Sequence, residues 1–129
     1  MLGVYLVAAE LSRLGFIVSP TSRSSKGADL LVTDQACSRA FSVQVKTNSK
    51  KAGFWLLNAN TKDIASRSHI YVFVNLLGAN RPECYVVPSL VVAARMKTSK
   101  RKTGSVWYGF HKKTAPRYYE RWQLFGNAS

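Results

Sequence analysis

Apolar residues recur at Val4, Val7, Leu11 and Leu14, a spacing of three and four that predicts a helix over residues 4–14, stopped by Gly15. Residues 16–18 then read as a short strand ended by Pro20, and 21–26 as a polar, Ser-rich loop. A strand over 29–32, a turn-rich connection over 33–39 and a strand over 41–47 make a hairpin. In the second of these, Phe41, Val43 and Val45 point one way and Ser42, Gln44 and Lys46 the other. The pattern weakens over 48–67, where 54–57 reads as strand and 63–66 as a helical turn. Two β-branched and aromatic runs, 70–77 and 84–87, flank a Gly/Asn/Pro turn and predict another hairpin, closed by Pro88. Ser89 is the expected N-cap of a helix from Leu90 to about Lys97, residues 98–104 read as a basic loop, and Pro116 opens a short last helix. No internal repeat is present. The order describes one α/β domain spanning 1–129, with a central mixed sheet flanked by helices.

Composition narrows the partner more than the fold. The 129 residues carry 19 Lys and Arg against 6 Asp and Glu, a formal net charge of +13. Such a field draws polyanions and speeds their encounter, so nucleic acid is the expected partner. An anionic membrane fits less well, because the cations run from Arg13 to Arg121 rather than along one amphipathic helix. The apolar start, residues 1–9, is broken by Glu10 before it reaches membrane-spanning length, and no basic leader precedes it, so a soluble, intracellular (cytoplasmic) protein is expected. Cys37 and Cys84 form no CxxC pair and read as reduced, structural thiols.

Against this basic background an acid inside an apolar strand calls for a chemical explanation. Asp29 is such an acid, and the neighbouring strand presents Gln44 and Lys46 on a single face. Phosphodiester cleavage needs a positioned water and neutralisation of charge on phosphorus. Magnesium meets much of this need through one or two carboxylates plus waters. A lysine beside it either orients the water or holds the phosphate. Glu10 falls on the flank of the buried helix face, beside Val7 and Leu14. Taken singly, these residues read more simply as a turn cap, a solvated acid and an exposed strand lysine.

Taken in order, Glu10, then Gly27-Ala28-Asp29, then Gln44-Val45-Lys46 resembles the PD-(D/E)XK nuclease superfamily, which includes restriction endonucleases and archaeal Holliday-junction resolvases. The runs 70–74 and 85–89 are similar to the small resolvase branch, so the resemblance covers most of the chain to about Ala94. It implies a restriction-endonuclease-like αβββαβ core and a homodimeric, magnesium-dependent endodeoxyribonuclease, with manganese able to substitute and branched or structured DNA as substrate. It also implies that Glu10, Asp29 and Gln44 hold the metal and that Lys46 is the catalytic lysine. Two positions depart from the family: Ala28 replaces the usual Pro, and Gln44 replaces an acid. The second departure removes a negative charge, so a catalytically inactive DNA-binding protein on the same fold is the alternative.

Arg23, Lys26, Lys50, Lys51, Lys100, Arg101 and Lys102 are the candidate DNA contacts, since phosphate contacts come from such cations. His69 and His111 lack a spaced partner ligand and read as structural. Trp107, Tyr108, Phe110, Tyr118, Tyr119 and Trp122 read as packing residues, with one or two able to stack on an unpaired base.

Overall fold

The computed structural model describes residues 1–22 and 27–129. Helix α1 (Leu2–Arg13) comes first, followed by strands β1 (Ile17–Pro20), β2 (Leu30–Thr33), β3 (Ala40–Asn48), β4 (Phe54–Leu57), β5 (His69–Asn75) and β6 (Glu83–Pro88). Helix α2 (Ser89–Arg95), strands β7 (Lys97–Lys100) and β8 (Val106–His111), and three short 3₁₀ turns complete the chain.

Five strands form the main sheet in the order β1-β2-β3-β5-β6. The β3–β5 pair is parallel, and the other pairs are antiparallel. The inward alternation of β3 sends Val43 and Val45 to the face covered by α1, where they pack with Val7, Leu11, Val72, Val86 and Phe125. Helix and sheet approach closely because Gly3 carries no side chain: a Cβ there would lie 2.0 Å from Thr47 Oγ1. The opposite face, bearing Tyr71, Phe73, Tyr85 and Val87, is covered by α2 and by a second sheet of order β4-β8-β7. Trp55 and Phe110 from that second sheet are 1 % and 0 % exposed, and Trp55 Nε1 donates to the Val74 carbonyl at 2.9 Å, fastening the two sheets together.

The mixed sheet agrees with the fold class read from the chain, and three local expectations change. A parallel pair requires a long crossover, usually an α-helix. Here the described residues between β3 and β5 supply β4 and the turns that follow it, with no α-helix. The expected basic loop at 98–104 is instead an edge strand and turn: β7 pairs with β8, and Gly104 adopts φ +88° to reverse the chain. Ser89 lies inside α2 and does not cap it; its Oγ donates to the Ser66 carbonyl at 2.8 Å and accepts the Ser66 N–H at 2.9 Å, pinning the segment that leads into β5.

Both cysteines are free, Cys37 exposed and Cys84 buried. Burial is the main cause of the Cys84 thiol being pushed up to about 12, which leaves it protonated and inert. No helix among the described residues is long and apolar enough to cross a membrane.

Candidate active site

Asp29 stands immediately before β2, where the ladder brings its backbone N–H to the Val43 carbonyl at 2.7 Å. Its side chain then takes over from the backbone: Oδ2 accepts the Val45 N–H at 2.7 Å. A strand donor thus fixes one carboxylate oxygen beside Gln44.

Gln44 and Lys46 share the sheet face that Tyr71 and Phe73 occupy on β5, their register partners. Gln44 is only 8 % exposed, and its Oε1 is buried with no hydrogen-bond partner among the described residues. An orphaned buried acceptor costs about 1–3 kcal/mol, and a donor or cation at Gln44 Oε1 would offset that cost. Lys46 is half-buried, and desolvation pushes its ammonium below the ordinary lysine pKa of 10.5, opposed by the charge of Asp29. Burial wins.

His69, set aside in the sequence, belongs to this face. It opens β5 opposite Ser42, and its Nδ1 lies 2.6 Å from Ser42 Oγ while its ring packs edge-on against Tyr71. Its Nε2 is a second buried atom without a partner among the described residues. The imidazole pKa is lowered chiefly by burial and held up in part by a hydrogen bond to the Ser42 backbone and by the charge of Asp29. The sequence offered only alternation along β5 as a signal for His69. The parallel register that sets it beside Ser42 is not local, so it could not be read from spacing.

Glu10 is separated from this group. It pairs with Arg13 at 2.6 Å on the α1 side of the sheet and lines a small cleft with Leu6, Arg81, Cys84 and Trp122. The Arg13 hydrogen bond is the main cause of its lowered carboxyl pKa. The helix acid expected at the metal therefore lies across the sheet from Gln44 and Lys46, because the α1 stripe that buries Val7 and Leu11 turns Glu10 toward the β6 edge. Glu10→Gln is expected to change any cleavage rate by less than about twofold and stability by less than about 1 kcal/mol, as read by a nicking assay and a urea melt.

Among the candidate DNA contacts, Arg23 and Lys26 lie outside the described residues. Lys50 and Lys51 are exposed just beyond β3, and Lys100, Arg101 and Lys102 are exposed at the β7–β8 turn.

The described residues hold no cluster of three or more His, Cys, Asp or Glu able to bind a metal. Magnesium asks for less: one or two carboxylates with carbonyl oxygens and waters. Asp29 and the orphaned Gln44 Oε1 fit that donor set, with one negative charge fewer than two acids would give.

No family model and no curated protein matches the chain. Among solved structures, it is similar to Hjc, a Holliday junction resolvase from the archaeal hyperthermophile Archaeoglobus fulgidus, with a TM-score of 0.53 over 88 % of this chain and 91 % of that one, at 10 % identity. The two chains share a fold. At that identity the likeness concerns the fold alone.

Proposed function

We propose that the protein is a magnesium-dependent endonuclease that hydrolyses DNA phosphodiester bonds, with branched DNA such as a four-way junction as substrate. The observation that carries this reading is the Asp29 carboxylate, fixed by the Val45 N–H beside Gln44 Oε1, which has no partner among the described residues, on the face that also bears Lys46. Asp29 and Gln44 Oε1 would hold the metal. When bound, magnesium polarises a phosphoryl oxygen and acidifies water.

Hydrolysis forms a bond from water oxygen to phosphorus, breaks one P–O ester bond and delivers a proton to the leaving sugar oxygen. Lys46 Nζ donates hydrogen bonds to the scissile phosphate or the attacking water and stabilises the charge that develops. Its half-buried position strengthens that interaction, because less water screens it. The net charge of +13 gathers the DNA, and a homodimer sets two such sites on two strands.

Gln44 in the acid position favours a second reading, a DNA-binding protein without hydrolysis. A four-way junction and a supercoiled plasmid, each incubated with magnesium, manganese or EDTA, separate the two. Cleavage with either metal and none with EDTA is the expected result. Salt-sensitive binding with no cleavage under any metal leaves the binding protein, and binding indifferent to salt overturns both readings.

A further inference from the structure

The outer face of the second sheet is not used by the proposed chemistry. Alternation buries Trp55, Leu57 and Phe110 and turns Phe54, Leu56, Trp107 and His111 outward. Phe54, Leu56 and Trp107 are 46 %, 49 % and 37 % exposed. At the centre of this face, Gly109 sits between Leu56 on β4 and Lys97 on β7. With no side chain there, the sheet has a flat-floored depression of about 250 Å³. The Phe54 and His111 rings, 5.9 Å apart, bound one end, and Trp107, with the Arg101 guanidinium 4.0 Å over its ring, bounds the other.

We infer that this depression binds an unpaired base of a nucleic acid strand, with Lys97 and Arg101 on the adjoining phosphates. Its volume lies below the roughly 300–1,000 Å³ of pockets for drug-sized ligands and suits a single planar ring system. Aromatic walls with cations at the rim are the combination that stacks on base faces while tracking a backbone. Duplex DNA keeps those faces stacked on one another, so the feature selects unpaired segments. A second copy of the chain would bring the same cationic rim against this one, which disfavours self-association here.

The inference rests on the nucleic-acid reading above and names the strand form that reading leaves open. The test uses the whole protein in EDTA, titrated with a short oligothymidylate or with an abasic sugar-phosphate strand of equal length and charge, read by anisotropy and tryptophan emission. Trp55 and Trp122 are 1 % and 9 % exposed, so the emission change reports Trp107. The base-bearing strand is expected to bind about tenfold tighter and to quench emission. Trp107→Ala should abolish that preference. So should Gly109→Val, which fills the depression without backbone strain, since the φ of Gly109 is not positive and the nearest atoms to an added Cβ are 3.5 and 3.6 Å away. Equal affinity for both strands, or a preference that survives both substitutions, overturns this inference alone. Failure to bind either strand overturns it together with the nucleic-acid reading, and concentration-dependent burial of Trp107 without DNA assigns the face to a second copy and overturns it as well.

Discussion

Asp29→Asn is expected to lower magnesium-dependent cleavage about a thousandfold, the scale of several kcal/mol of lost transition-state stabilisation. Asparagine keeps a side-chain oxygen that can accept the Val45 N–H, so the fold at the start of β2 should survive. DNA affinity should hold or rise, since one negative charge leaves a basic surface. Single-turnover cleavage of a four-way junction, alongside anisotropy without metal, reads both quantities. Cleavage by the variant at the wild-type rate would remove Asp29 from the chemistry.

Lys46→Met should reduce cleavage about a hundredfold by removing a charged donor, and it carries a second, independent signature. Burial lowers the Lys46 pKa in the folded state below the 10.5 of an exposed lysine. Between the lowered value and 10.5 the unfolded chain therefore holds the proton that the folded chain has released. Stability then rises with pH across that window and falls as pH drops back through the folded pKa. Methionine should flatten this slope and stabilise the protein at neutral pH by ending the cost of a partly desolvated ammonium. Urea midpoints of both proteins from neutral pH to 10.5 test it. Parallel pH profiles would show that Lys46 is effectively solvated.

The elements carried by periodicity were legible in the sequence: the α1 stripe, the alternation of β3 and the apolar runs of β5 and β6. The shared face of Gln44 and Lys46 followed from the two-residue period alone. Strand β7 was not legible because Lys97-Thr98-Ser99-Lys100 has no apolar residue; all four are exposed, and pairing with β8 makes the strand. Glu10 shows a related limit. The wheel identified the flank it occupies, but the side of the sheet that α1 covers depends on long-range packing. His69 depended on the β3–β5 register, which no local pattern encodes.

The path of the chain has a consequence for modularity. Strand β4 belongs to the second sheet yet lies within the covalent route from β3 to β5, and Trp55 on it covers Phe73 at a ring separation of 5.1 Å. The accessory layer therefore cannot be trimmed away to leave the five-stranded sheet on its own: cutting the chain after α2 would strip β4 of its ladder partner, β8, and open the middle of the protein to water.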